Sequence, residues 1–192
     1  MSGQTDLGIA NLALIDLGQP VLGDGLEQSK AGRLYRASYE PTVREILRAH
    51  PWRCARREAT LTVDTSPGVG TPFNFDNFCA LPSGFVKVVR VNDQIDKFEV
   101  IGKWLAVDDD APKLTYIKRV PTAEFDDLLV STIAARLSWR WCMAITNSTT
   151  QTQQAQKSFM EIFADAKFAD AMDGAPEEMP LGTWAQARLS EA

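Results

Sequence analysis

The chain has 192 residues, 45% hydrophobic and 23% charged, with 20 Lys+Arg against 25 Asp+Glu and a formal charge of −5. A chain of this length buries roughly 70% of its unfolded surface and needs no metal or disulfide to fold. This composition excludes intrinsic disorder as a class, and the net acidity argues against a nucleic-acid binder driven by overall charge.

Residues 5–17 predict a first helix. Asp6 is placed to cap it, Leu7, Ala10, Leu14 and Leu17 recur at i, i+3/i+4 spacing, and Gly18 with Pro20 stops it. After a GDG-containing loop, residues 29–49 predict a second helix with Ala31, Leu34, Tyr35, Val43, Ile46 and Leu47 as its apolar positions. Pro41 removes an amide donor inside this stretch, which predicts a kink or a restart. His50-Pro51 ends it. The pattern then changes: residues 54–63 are rich in Thr and Val, and 65–72 form a turn-rich loop. Residues 85–92, 97–101, 103–107 and 113–120 alternate as half-buried strands, predicting an antiparallel meander. No phosphate-binding glycine loop follows any of them.

A long helix is predicted over 124–145, with Glu124, Asp126 and Asp127 in its first turn, where carboxylates favour the positive end. Leu129, Val130, Ile133, Leu137, Trp141 and Ala144 form one apolar stripe, and Phe125, Leu128, Ala135, Trp139 and Cys142 another. A helix apolar on two faces belongs between a helix layer and a sheet. The last helix is predicted over 152–172, with Phe159, Ile162, Phe163 and Ala166 among its buried positions, and Gly174 ends it. Residues 175–192 form an arm that carries Met179, Leu181, Trp184 and Leu189. Apolar anchors on a segment too short to fold alone predict docking on another protein.

The chemical candidates are few. No basic-apolar leader follows Met1 and no apolar run approaches the ~20 residues of a membrane span, so neither a signal peptide nor a span is expected. Cys54, Cys79 and Cys142 are odd in number and form no C-x-x-C pair, and His50 is the single histidine. Buried thiols in a reducing cytoplasm are the expectation, with neither disulfide nor metal site. Asp108, Asp109 and Asp110 read as an exposed hairpin turn in preference to a cation site. His50, before Pro51, reads as a capping or packing residue in preference to a general base. GDG at 23–25 and GVG at 68–70 read as turns. These features predict no catalytic residues and no cofactor. Arg44, Arg48, Arg53, Arg56 and Arg57 form the one concentrated charge feature. They suit either an acidic partner or a solvated face paired with Glu40, Glu45 and Glu58. Arg136 and Arg140, one turn apart on an apolar helix, need partners within the bundle or across a subunit interface.

Several segments occur in a familiar order. They are LGQP (17–20), YEPTVREILRAHPW (39–52) running into RCARREATL (53–61), ALPSGFVKVVRVN (80–92), KLTYIKRV (113–120), FDDLLVSTIAARLSWRW (125–141) and QAQKSFMEIFADAKFADAMDG (154–174). In this order and in total length the chain resembles the head-to-tail adaptor proteins of short-tailed bacteriophages and related prophages, the tail tubular protein A group. The resemblance implies an α+β fold: an antiparallel helical bundle built from 1–52 and 122–174, an inserted β-rich lobe at 53–121, and a C-terminal docking arm at 175–192. It also implies a virion neck protein, assembled in the bacterial host cytoplasm as a ring of usually twelve copies. Such a ring sits beneath the portal protein, extends the DNA channel without sequence-specific binding, and carries the tail nozzle. In that reading Met179, Leu181, Trp184 and Leu189 contact the portal, and the seven arginines above face a neighbouring subunit or partner. The alternative is a packaging accessory that handles nucleic acid through the Arg44 to Arg57 cluster. An enzyme acting near Asp108–Asp110 is a third reading.

Overall fold

Among the described residues, four helices and two three-stranded antiparallel sheets make an α+β fold. The computed structural model describes residues 5–23, 29–64, 75–92 and 97–173. The arm at 175–192, the loop at 65–72 and, apart from Gly23, the GDG and GVG turns lie outside the described residues.

Helix α1 (Asp6–Asp16) is capped by Thr5, not by Asp6: the Thr5 hydroxyl accepts from the Gly8 N–H at 3.0 Å. Its end is a full Schellman motif. Gly18 takes φ 66°, its N–H reaches the Ile15 carbonyl at 2.9 Å, and Gln19 N–H reaches the Leu14 carbonyl at 2.9 Å. Beyond it, the Asn11 side-chain amide accepts from the Leu22 N–H at 2.7 Å and donates to its carbonyl at 3.2 Å, seating Leu22 in the core.

Helix α2 (Lys30–Ala49) starts at the Ser29 cap and continues through Pro41 without the predicted restart. The carbonyl that Pro41 leaves without a donor belongs to Ala37, which is exposed and so open to solvent. His50 is extended, as a residue before proline must be, and the chain leaves the helix there. Trp52 follows, 1% exposed, with its indole N–H on the Ile46 carbonyl at 2.9 Å.

The strands β1 (Arg56–Thr60), β2 (Asn77–Ala80), β3 (Phe85–Val91), β4 (Glu99–Ile101), β5 (Trp104–Val107) and β6 (Lys113–Lys118) do not form the predicted meander. They divide into two sheets, ordered β1-β6-β3 and β2-β5-β4. Among the described residues only β4 and β5 make a sequential hairpin, across Gly102 at φ 62°. The reason lies in β6, which is buried on both faces. Ile117 joins Val86 in the helical core, while Leu114 and Tyr116 join Leu61, Cys79, Val91, Leu105 and Val107 between the two sheets. A central strand with two buried faces needs a partner on each edge and a layer on each side.

Helix α3 (Asp127–Thr146) begins three residues after the predicted start. A one-turn 3-10 helix at Thr122–Glu124 precedes it, and Asp126 caps it through the Leu128 N–H at 3.0 Å. Asn147, at φ 53°, ends α3, and Ser148 caps α4 (Thr149–Met172). Helix α3 packs against α4, α1 and α2. Its Leu129, Ile133, Leu137 and Trp141 are fully buried.

A polar knot ties the first helix to this core. The buried Tyr39 hydroxyl donates to Asp6 Oδ1 at 3.1 Å, and the Thr122 hydroxyl donates to the same oxygen. Burial is the main cause that raises the Tyr39 pKa well above the ordinary tyrosine range. The folded state therefore holds the phenol proton more tightly than the unfolded chain does. This contribution to stability is complete below about pH 10, the unfolded value, and declines as pH rises beyond it. Tyr39→Phe is expected to cost about 1 kcal/mol at neutral pH through the lost hydrogen bond. The variant should also lose stability less steeply in alkali, which urea midpoints at neutral and alkaline pH measure.

Candidate interaction surfaces

The five clustered arginines do not make one patch. Arg44 and Arg48, on the exposed side of α2, reach the backbone of β3, donating to the Phe85 carbonyl at 3.3 Å and the Val86 carbonyl at 2.9 Å. A register irregularity between Phe85 and Lys87 accompanies these contacts. Arg53 turns the other way: its backbone N–H meets Asp170 Oδ1 at 3.0 Å and its Nε the Asp170 carbonyl at 2.7 Å. Arg57 bonds the Cys54 and Arg56 carbonyls and pairs with Glu124 at 2.5 Å. Arg56 Nε is buried and has no hydrogen-bond partner among the described residues.

The expected pairing of this cluster with Glu40, Glu45 and Glu58 does not occur as read, because two of those carboxylates are taken by distant arginines. Glu40 pairs with Arg119 at 3.0 Å. Glu45 receives Arg136 at 2.8 Å and lies 3.7 Å from Arg140, whose guanidinium also donates to the Thr42 hydroxyl at 2.7 Å. Of the two alternatives for Arg136 and Arg140, the pairing is within the bundle. The Arg136 guanidinium further lies over the Trp139 ring, 4.2 Å from its centroid, and near Phe159. Stacking on aromatic faces keeps a half-buried guanidinium solvated by π-electrons where water is scarce.

His50 packs edge-on against Trp52, with ring centroids 4.9 Å apart, and its Nε2 meets Asp170 Oδ2 at 2.9 Å. Cys54 lies close enough to Asp170 to feel its charge. These are the residue types of a thiol nucleophile, its base and an orienting carboxylate, but the electrostatics run against nucleophilic chemistry. Burial raises the Cys54 pKa, with the Asp126 and Asp170 charges adding to it, whereas a reactive thiolate needs a lowered one. No hydrogen bond joins Cys54 to His50 among the described residues. Asp170 instead acts as a clasp, tying the end of α4 to the corner where α2 becomes β1.

Asp108, Asp109 and Asp110 are exposed, but the segment is not a hairpin turn. It crosses from β5 in one sheet to β6 in the other. Each carboxylate latches this crossing. Asp108 accepts from Asp76 N–H at 3.1 Å, Asp109 from Ala111 N–H and Asn92 Nδ2 at 3.0 Å each, and Asp110 from Asn77 Nδ2 at 2.9 Å. Among the described residues no group of three His, Cys, Asp or Glu side chains is placed to hold a metal ion.

Met179, Leu181, Trp184 and Leu189 lie outside the described residues. Sequence reasoning missed two surface features. The first is a groove of about 400 Å3 between the end of α1, α3 and the first half of α4. The second is a set of exposed apolar side chains: Leu12 and Ile15 on α1, Phe98 and Val100 at β4, and Phe168 and Met172 on α4. Periodicity marks which helical positions are apolar, and the excess left after the core is filled is visible only in three dimensions.

Compared with models of protein families and with curated proteins, the chain gives no match.

The corner supplies a paired test. Asp170→Ala removes acceptors for His50 and Arg53 and is expected to destabilise by about 2 kcal/mol. Arg56→Met removes a guanidinium nitrogen that has no partner and keeps the apolar stem. It should stay within about 0.5 kcal/mol of wild type or exceed it. Denaturant midpoints of the two variants, measured side by side, check the contrast.

Proposed function

We propose that the chain is a structural head-to-tail adaptor, a virion subunit that forms a ring beneath the portal protein, extends the DNA channel and seats the tail nozzle. The observation that carries this reading is the layout of the fold. Helices from both ends of the chain close on α3, and the β-rich segment departs and returns at the HPW corner. This is the architecture that the resemblance of the sequence implies.

Three further features support it. The exposed apolar side chains lie on different elements, Leu12 and Ile15 on α1 and Phe98 and Val100 at β4. A ring is built from heterologous contacts, in which one patch meets a different patch of the next copy. The arginine cluster favours the adaptor over the packaging accessory. Arg53 and Arg57 are engaged within the molecule, and Arg44 and Arg48 each donate to β3. A formal charge of −5 lets DNA slide past a surface that does not hold phosphates.

The test is the solution mass of the purified chain by light scattering, alone and with the portal of the same phage. A saturable complex with many copies per portal ring is expected, and Ile15→Asp should weaken it. A chain that stays monomeric and ignores the portal overturns the adaptor reading. DNA affinity that falls steeply with salt and weakens on substitution of Arg53, Arg56 and Arg57 would establish the packaging accessory in its place.

A further inference from the structure

The groove beside α3 has a floor of small side chains, with Leu17, Gln151, Gln154 and Ile162 around it. Ala135, Ser138 and Cys142 of α3 face Ala155 and Ser158 of α4 across it, and none is large enough to fill the space. The resulting volume, about 400 Å3, falls in the range of sites that bury a group the size of a large side chain or small ligand.

At the rim stands Asp16, the last residue of α1. A carboxylate here sits at the negative end of its helix, where a cation and not an anion is favoured. Burial alone raises its pKa, with no charged neighbour offsetting the cost. Asp16 makes no hydrogen bond or ion pair among the described residues. The carboxylate is exposed at the rim and open to a positive group brought by another segment.

Between the groove and the end of α4 lie Phe168 and Met172, one turn apart and each 69% exposed. The chain continues from that end into residues 174–192, GAPEEMPLGTWAQARLSEA. This segment carries three large aliphatic side chains, Met179, Leu181 and Leu189, one aromatic, Trp184, and one basic residue, Arg188, four positions after the tryptophan. Its reach suffices. From Met172 back to Ala155 along α4 is about 25 Å at 1.5 Å per residue. Residues 174 to 184 extend to about 36 Å.

We propose that this groove holds the chain's own C-terminal arm: Trp184 enters between α1, α3 and α4, Arg188 pairs with Asp16, and Met179 and Leu181 cover Phe168 and Met172. Size, charge and reach converge on this occupant. The aromatic ring enters a space floored by small side chains, the arm's single cation meets the acid at the rim, and the intervening apolar residues fall along the exposed apolar end of α4. On the adaptor reading the portal then competes with the groove for the same arm. The inference itself concerns the free chain, and its test contains no portal.

The test follows the indole N–H of Trp184 by NMR in the full-length chain labelled at tryptophan, with Trp184→Phe identifying the resonance. The heteronuclear NOE reports fast motion of that ring. The expected result is an NOE matching those of the core indoles of Trp52 and Trp141, with a shift away from that of free indole. Asp16→Lys and Ala155→Arg, one removing the charge partner and one filling the groove, should each collapse the NOE toward that of a free side chain. Asp16→Lys combined with Arg188→Glu should restore it. A free-indole shift with a low NOE in the wild type overturns the proposal. So does an ordered Trp184 that both groove variants leave unchanged, which would place it on another surface. Order that disappears on dilution also overturns it, since the arm would then come from a second copy.

Discussion

The fold depends on the burial of α3. From Leu129 to Cys142 this helix offers water only a narrow strip, and a helix apolar over most of its circumference is stable only when other elements enclose it. No single neighbour in sequence can do that. Helix α4 covers one side through the two-residue turn at Asn147 and Ser148, but α1 and α2 must return from the far end of the chain. The intervening segment is left to fold as an excursion, with its own small core between two sheets. The separation of bundle and lobe is thus a consequence of one helix that cannot face solvent.

The same constraint explains the charge pairing. Arg136 and Arg140 occupy the strip of α3 that the other helices leave uncovered, and a guanidinium there needs a carboxylate within reach. Helix α2 supplies Glu45, and Glu40 of the same helix meets Arg119 at the end of β6. With its acids turned towards α3 and β6, α2 cannot satisfy its own arginines along its surface. Arg44 and Arg48 instead reach the backbone of β3, where the irregular strand offers carbonyls. Local i, i+4 pairs are worth a few tenths of a kcal/mol on an exposed helix. The cross-element contacts gain more, because they also satisfy groups that packing has partly removed from water.

This is why the helices were legible in the sequence and the charge network was not. Apolar spacing, Gly18, Ser29 and the HPW corner are local signals, and each sits within a few residues of the boundary it sets. Thr5 and Asp6 carry the same capping chemistry one position apart, so the sequence points to Asp6 as readily as to Thr5, and only the backbone conformation separates them. The β-lobe failed in a more instructive way. Residues 113–118 alternate well enough to read as a strand with one buried face, yet both faces are buried, and a doubly covered strand takes its neighbours from far away in sequence. Pairing with β1 and β3 could not be read from turn signals, which report only the next strand. Asp170, which joins α4 to the corner, carried no sequence signal, because nothing local distinguishes it from the other acids of its helix.

What remains exposed is the part of the surface that intramolecular packing does not need. Scattered apolar side chains are normal on any surface. Here, however, they sit at the margins of the fold: Ile15 beside the Schellman turn, Val100 on the outer strand β4, and Phe168 and Met172 on the last turns of α4. A subunit that closes a ring must present two unlike patches on a body stiff enough to fix the angle between them, since a small error in that angle turns a ring into an open helix. The clasp at Asp170 and the latches at Asp109 and Asp110 bear on that stiffness: one fastens the bundle to the root of the lobe, and the others hold the crossing between the two sheets to β3 and β2. On the adaptor reading, the polar residues that look most like sites are those that hold the lobe at a fixed angle, and the assembly contacts fall to plain apolar side chains.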